Sequence, residues 1–79
     1  MMNIEIVTPD STVFEGSAKM VQLPGIDGKF AILKDHAPLI SVLGKGKIKV
    51  EAEDGKLEHF DVNGGVIEVL KNKILILAE

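Results

Sequence analysis

The sequence predicts an all-β fold, a sandwich or barrel of about nine short antiparallel strands. Short runs in which apolar and polar residues alternate follow one another along the chain, which is typical of strands with one buried face. Glycine and proline turn signals separate these runs at intervals of roughly eight residues. Residues 34–38 are expected to form a single helical turn, and no segment has the pattern of a longer amphipathic helix.

The first predicted strands end at recognisable turn signals. Pro9 and Asp10 end the first run, and Gly16 ends the second. Pro24 and Gly25 close the third. The predicted strands, in chain order, are 4–8, 12–15, 18–23, 29–33, 39–43, 47–53, 57–62, 66–70 and 73–78.

One hairpin turns near Asp54 and Gly55. A two-residue turn there would place the apolar residues of its strands on opposite faces, which a sheet with one buried face does not tolerate. A three-residue loop over 54–56 restores the alignment. We therefore predict the pairs Val50–Phe60, Ile48–Val62 and Lys49–Asp61.

A second hairpin turns at Lys71 and Asn72. One face of it would pair Val69 with Ile74 and Ile67 with Ile76. The other face is also apolar, whereas an antiparallel sheet usually has one wet face. Either the hairpin lies deep inside the domain, or its outer face meets another protein. The residues of this second face are Val66, Leu70, Leu75 and Leu77.

Length and composition limit the function. The 79 residues form one domain, 1–79, without cysteine and with a net charge of −3. No basic stripe is available to follow a phosphate backbone, so nucleic acid is not an expected partner. The longest apolar run, 74–78, is far too short to cross a bilayer, and no direct lipid insertion is expected. A core this small is marginal, and a partner would stabilise it.

The chain offers no convincing catalytic or metal site. His36 and His59 lie on different predicted elements and lack a second ligand at metal spacing. Asp35 and His36 could act as an oriented base, but Ser41 has none of the context of a nucleophile. We expect both histidines to have structural roles, with no catalytic residue, cofactor or metal in the domain.

The residues from Leu23 to Val50 resemble one protein family. They are similar to the N-terminal β-sandwich domain of the ε subunit of rotary F-type ATP synthases, whose mitochondrial counterpart is the δ subunit. The family pattern has a glycine-bounded loop, then Gly-Ile-Leu-Pro, then His-Ala-Pro-Leu and a glycine before alternating apolar residues. The matching positions are Gly28, Ile32, Leu33, His36, Ala37, Pro38, Leu39 and Gly46, with further matches at 7–9, 14–16, 63–69 and 74–78.

Some positions depart from the family pattern. Ala31 replaces its usual glycine, and Lys34 replaces its usual proline. Both are expected in the loop-to-strand turn, so we expect the local geometry of that turn to differ from the family's. Family members usually continue into a C-terminal helical hairpin, which is associated with inhibition of ATP hydrolysis and, in some bacteria, with ATP binding. The sequence given ends at Glu79, so we expect neither the hairpin nor those two functions.

The resemblance implies a ten-stranded flattened sandwich in the central stalk of the ATP synthase. Such a domain is not an enzyme by itself. It docks onto the γ subunit, rests on the ring of c subunits, and helps couple proton or sodium flow to ATP synthesis. The implied location is peripheral, on the cytoplasmic face of the bacterial plasma membrane, or alternatively at a thylakoid or mitochondrial inner membrane. The isolated domain is expected to be a monomer.

Contact residues follow from the resemblance by position. The expected contact with the c ring is one surface made of the loop 25–29 and His36. An apolar residue at a loop tip, such as Ile26, is more often a scattered surface residue than a contact, and only the resemblance gives it a reason as a contact. The expected c-ring residues are Gly25, Ile26, Asp27, Gly28, Lys29 and His36, and the expected γ-contact residues are Thr8, Ser41, Leu75 and Leu77.

Two other functions remain open from the sequence. A free-standing β-sandwich adaptor or ligand-binding module would share the fold and serve another complex. An enzyme would need an acid, a base and a nucleophile brought together, for instance Asp35, His36 and Ser41. Binding to a γ-like subunit discriminates the stalk subunit from both alternatives.

Overall fold

The computed structural model describes residues 2–79, which form nine β-strands. Each of the predicted runs overlaps one of them, so the all-β prediction is confirmed. Within residues 2–79 no helix is long and apolar enough to cross a membrane. The strands are β1 (Met2–Val7), β2 (Thr12–Ala18), β3 (Met20–Gly25), β4 (Gly28–Leu33), β5 (Leu39–Leu43), β6 (Gly46–Glu51), β7 (Leu57–Val62), β8 (Gly65–Leu70) and β9 (Lys73–Ala78).

The strands hydrogen-bond into one sheet in the order β2-β1-β9-β8-β5-β3-β6-β7, with β4 paired to β3. The β1–β9 pair is parallel, and the other pairs in the described chain are antiparallel. A single residue pair, Gly25 with Leu43, joins β3 to β5. The sheet therefore has a five-strand half, β2-β1-β9-β8-β5, and a four-strand half, β4-β3-β6-β7.

The inner faces of the two halves form one hydrophobic core. Ile4 and Ile76 from the five-strand half are buried in the same cluster as Val21, Ile32 and Ile48 from the four-strand half. In β1, β6 and β9 the buried residues recur at every second position, as the strand pleat requires. Among residues 2–79 no polar side chain is buried. In these strands, the alternation of apolar and polar residues in the sequence therefore indicates which face is buried in the core.

The prediction that Gly16 ends the second strand is wrong. Gly16 pairs with Ile4, and β2 continues to Ala18. A Cβ built on Gly16 would lie 3.3 Å from Cζ of Phe14. The glycine leaves room for the Phe14 ring to lie along the strand, so here it serves packing inside a strand instead of a turn.

The hairpin of β6 and β7 has a three-residue loop, as predicted, but the loop begins one residue earlier. Gly55 N donates to Ala52 O at 3.0 Å and Ala52 N donates to Lys56 O at 2.9 Å, which places the loop at 53–55. Gly55 adopts φ +89°, the left-handed conformation that the third position of such a loop requires. The glycine therefore fixes the loop position.

This earlier loop shifts the register of the hairpin by two residues. The predicted pairs Val50–Phe60, Ile48–Val62 and Lys49–Asp61 are wrong. Because a two-residue shift preserves the face of every side chain, the predicted sharing of faces is retained. The observed pairs include Gly46–Val62, Lys47–Asp61, Ile48–Phe60, Lys49–His59 and Val50–Glu58.

The hairpin of β8 and β9 has the predicted register, with Val69 opposite Ile74 and Ile67 opposite Ile76. These four residues are buried. The other face is exposed, with Leu70 60% and Leu77 49% accessible. The alternative in which both faces lie inside the domain is therefore wrong, and the outer face is free to meet a partner.

Candidate functional site

The turns of the molecule gather at two opposite ends. At the first end, Gly44 N donates to Pro24 O at 2.7 Å, and Glu79 N donates to Gly64 O at 3.0 Å. We call this the Ile26 end; it comprises the loop 8–11, the turns at 26–27, 44–45 and 63–64, and Glu79. The opposite end, which we call the His36 end, comprises residue 19, the loops 34–38 and 52–56, and the turn at 71–72.

The Ile26 turn is a tight two-residue connection between β3 and β4. Gly25 pairs with Gly28, leaving Ile26 and Asp27 at the tip. Gly28 adopts φ +128°, and a Cβ on Gly25 would lie 2.6 Å from the Gly28 carbonyl oxygen. Both glycines are therefore needed for the turn, one for its dihedral angle and one for its close backbone approach.

Ile26 is presented to solvent from this turn. Its side chain is 67% exposed, and Asp27, Gly28 and Lys29 are exposed beside it. A Cβ built on Gly44 would lie 3.7 Å from Cγ2 of Ile26, so the neighbouring turn supports the residue from one side. The arrangement holds an apolar tip with flanking charges of both signs at one end of the domain.

His36 lies at the opposite end from Ile26. Strand β4 has six residues and carries the chain from the Ile26 turn to the loop 34–38. At a rise of about 3.3 Å per residue, its ends are roughly 17 Å apart. The single surface expected from residues 25–29 together with His36 is therefore not formed, because the strand between them separates residues that are close in sequence.

The loop that carries His36 is a tight turn, so the predicted helical turn over 34–38 is wrong. His36 N donates to Leu33 O at 3.2 Å, and Asp35 adopts φ +65°. Asp35 N donates to Asn72 Oδ1 at 2.8 Å, and Asn72 Nδ2 donates to Asp35 Oδ1 at 3.1 Å. These reciprocal hydrogen bonds tie the loop to the β8–β9 turn and hold Asp35 in its left-handed conformation.

The outer side of the five-strand half carries an apolar surface that is interrupted by Glu68. Cross-strand pairing aligns Val42 with Val66, Val66 with Leu77, and Leu77 with Val7. The adjacent row runs from Ile40, which is 71% exposed, through Glu68 to Leu75. We call this surface the apolar outer face; its residues are Val7, Ile40, Val42, Val66, Leu70, Leu75 and Leu77.

The predicted γ-contact residues divide between two faces. Leu75 and Leu77 belong to the apolar outer face, and Thr8 lines a shallow depression beside Leu77. Ser41 pairs with the buried Ile67, so its side chain projects to the inner side of the sheet. Thr8, Leu75 and Leu77 therefore share a surface from which Ser41 is excluded.

Sequence reasoning did not single out Ile40 and Val42. Both are more exposed than Leu77, and β5 pairs directly with β8. The sequence feature that could have identified them is the run Leu39–Leu43, in which every residue except Ser41 is apolar, so that both faces of the strand are apolar. Like β8 and β9, β5 is apolar on both faces, which indicates that its outer face lacks the polar residues of an ordinary solvent-exposed face.

The outer side of the four-strand half is polar at its centre. Gln22 pairs with Lys49, and Lys49 pairs with His59. Lys47 Nζ donates to Asp61 Oδ1 at 2.9 Å. The two sheet halves thus differ in the character of their outer faces, and the apolar one is the better candidate for a protein contact.

The titratable side chains are dispersed. His36 Nδ1 lies 2.7 Å from the Ala37 carbonyl oxygen at the His36 end, whereas His59 lies on β7. Across the part of the chain that the structure describes, no three His, Asp or Glu side chains are grouped for metal binding.

Comparisons with known proteins identify the family. Residues 1–79 match the family described as ATP synthase, Delta/Epsilon chain, beta-sandwich domain. The chain is 40% identical over 78 residues to the ATP synthase epsilon chain of Sulfurimonas denitrificans, covering 99% of this chain and 60% of that protein. It is 41% identical over 76 residues to the ATP synthase epsilon chain of Chlorobium limicola, covering 96% of this chain and 86% of that one.

Solved structures have the same fold. A chain in the structure of the Euglena gracilis mitochondrial ATP synthase, OSCP/F1/c-ring in rotational state 1, superposes with a TM-score of 0.92 at 19% identity. That match covers 98% of this chain and 49% of the other. A chain in the central stalk/c-ring structure of the Tetrahymena thermophila mitochondrial ATP synthase gives 0.77 at 20% identity, covering 98% and 62%.

These matches agree on one assignment. The chain spans about 60% of the length of the first bacterial relative, and the family match extends over residues 1–79. The structural matches, at 19% and 20% identity, show that the fold is shared. This chain belongs to the family of ATP synthase delta/epsilon chain β-sandwich domains.

Proposed function

We propose that this domain is a non-catalytic part of the central stalk of an F-type ATP synthase, which binds the γ subunit and meets the c ring. Its bacterial relatives carry the name ATP synthase epsilon chain. The similar solved structures are of mitochondrial ATP synthases and include the c ring and, in one case, the central stalk. In this role the domain is peripheral, held by the complex at the cytoplasmic face of a bacterial plasma membrane.

The observation that carries the proposal is the apolar row Val42–Val66–Leu77–Val7 on the outer side of the five-strand half. Burying a large apolar side chain contributes about 1.5–3 kcal/mol. A row across four strands therefore supplies the centre of an interface, which a polar rim would complete. We assign this surface to the γ subunit.

The Ile26 end is the part that we assign to the c ring. Ile26 lies at one end of the domain, and the apolar outer face lies along its side. One subunit can thus contact γ along its side and the ring at its end without competition between the two partners. As it rotates with γ, the domain would help couple ion flow to ATP synthesis.

A matched pair of variants tests the assignment to γ. Leu77 is 49% exposed on the apolar outer face, and Leu57 is 51% exposed on the four-strand half. We expect Leu77→Asp to weaken binding to the cognate γ subunit by about thirtyfold or more in calorimetry, the effect of losing an interface hot spot. Leu57→Asp introduces the same charge at equal exposure and should leave the affinity unchanged.

Three results would count against this proposal. Absence of γ binding by the unchanged chain would exclude the central-stalk role. Equal losses for Leu77→Asp and Leu57→Asp would exclude the apolar outer face as the specific contact. Loss with Leu57→Asp alone would move the interface to the four-strand half.

A further inference from the structure

A groove of about 580 Å³ crosses the outer side of the five-strand half. It continues the apolar outer face, because Leu70 and Leu75 belong to both. Three carboxylates line it, those of Glu5, Glu15 and Glu68. Lys73 is the one cation among the described residues that line the groove, so its charge balance is acidic.

Two of these carboxylates are direct cross-strand neighbours. Glu5 on β1 is paired with Glu15 on β2. Like charges directly opposite each other on antiparallel strands destabilise a sheet. The pair is therefore unfavourable in the isolated domain, and a positive group placed between the two side chains would remove the repulsion.

The third carboxylate joins the same row. Leu75 is paired with Glu68 on one side and Glu5 on the other. Within residues 2–79, none of the three groove glutamates forms an ion pair. The four-strand half differs in this respect, since Lys47 pairs with Asp61 there at 2.9 Å.

We propose that this groove receives an arginine side chain of the γ subunit, seated between Glu5, Glu15 and Glu68 beside the apolar contact. This inference rests on the proposed function and specifies its chemistry. A guanidinium suits the site because its fork of N–H donors can bond two carboxylates at once. Leu70 and Leu75 provide apolar surface for the stem of the side chain.

The charge complementarity also sets the orientation in which γ binds the domain. The apolar row supplies burial, but apolar contacts are non-directional and do not by themselves fix the orientation of a partner. A cation held at the acidic end of the surface would fix the register, which is the usual contribution of charges at an interface. The groove therefore determines how γ is oriented on the domain.

The test uses the full chain with its cognate γ subunit in calorimetry at low and high salt. The variant Glu5→Gln with Glu15→Gln removes the acidic pair while conserving side-chain shape. We expect about tenfold weaker binding at low salt, and a smaller difference in 0.5 M salt because the charges are screened. Glu53→Gln, on the exposed β6–β7 loop, removes the same kind of charge outside the groove and is the control.

A second readout shows whether the carboxylates serve binding instead of folding. The double variant should melt at a higher temperature than the unchanged domain, since the repulsion between positions 5 and 15 is gone. Equal affinities for the double variant and Glu53→Gln would overturn the inference while leaving the γ assignment intact. Absence of binding by the unchanged chain would overturn both.

Discussion

The rings of Phe14 and Phe60 lie with their centroids 5.3 Å apart and their planes at 54°, although β2 and β7 are at opposite ends of the strand order. The contact joins the two ends of the sheet path without a hydrogen-bonded ladder. Its tilted geometry is one that aromatic pairs favour. The edges of β2 and β7, which are not hydrogen-bonded to each other, are thus joined by a side-chain contact.

Removal of either ring should open this closure. We expect Phe14→Ala and Phe60→Ala each to lower the free energy of unfolding by about 2–3 kcal/mol, less than for a fully buried ring. In a double-mutant cycle the two losses should be coupled by about 1 kcal/mol. Urea denaturation measures both quantities. Val13→Ala, 43% exposed on the same strand as Phe14, is the control, and additive losses for the two rings would contradict the closing role.

Gly65 is the glycine whose replacement should be most costly. It adopts φ +146°, and a Cβ there would overlap the Leu77 carbonyl oxygen of the neighbouring strand. Because backbone strain and a backbone clash combine, Gly65→Ala should destabilise the domain by about 3 kcal/mol or more. Thermal and urea unfolding provide the measurement.

Gly55→Ala is the matched control for Gly65→Ala. Gly55 also has a positive φ, +89°, but nothing lies within 4 Å of its built Cβ. Only the dihedral strain applies, and we expect a loss of about 1 kcal/mol. Similar losses for the two variants would show that the approach of Leu77 does not constrain position 65.

Ile26 and His36 should differ in their effect on the c ring, because they lie at opposite ends of the domain. We expect Ile26→Ser to weaken the contact between stalk and ring roughly tenfold, as loss of one buried apolar side chain would do. Proton pumping per ATP hydrolysed in the reconstituted enzyme is the measurement. His36→Ala should leave this ratio unchanged, and Ile26→Val should retain it.

The opposite pattern would reverse the assignment of the two ends. If His36→Ala lowered the pumping ratio and Ile26→Ser did not, the His36 end would be the one on the ring. Affinity for the γ subunit and thermal stability should be unchanged in both variants, since both side chains lie outside the apolar outer face. These two measurements separate a ring defect from unfolding.

The sequence was most informative where the structure is local. The pairing of Val69 with Ile74 could be predicted because residues on both sides of one short turn alternate. The β6–β7 register was missed because the left-handed requirement at Gly55, and not the apolar pattern, sets the loop position. The register predicted correctly and the register that was missed both belong to hairpins, whose paired residues are near each other in sequence.

Relations between distant strands could not be predicted in the same way. Ile40 and Val42 join the apolar outer face only because β5 lies beside β8, a pairing that no turn signal encodes. Ile26 stood out as an unusual apolar residue in a glycine-bounded turn, and its assignment to the c ring came from the family resemblance and stays a prediction. His36 was grouped with it because sequence proximity does not reveal that β4 crosses the whole domain.

The position of β9 between β1 and β8 determines when the five-strand half can assemble during synthesis of the chain. Among the nine described strands β1 is translated first and β9 last, yet they lie side by side in parallel. Until residues 73–78 emerge, β1 and β2 form only an isolated hairpin, which is marginally stable in water. The five-strand half is therefore assembled after translation of its final strand, and a nascent chain lacking that strand exposes open edges on both sides of the gap.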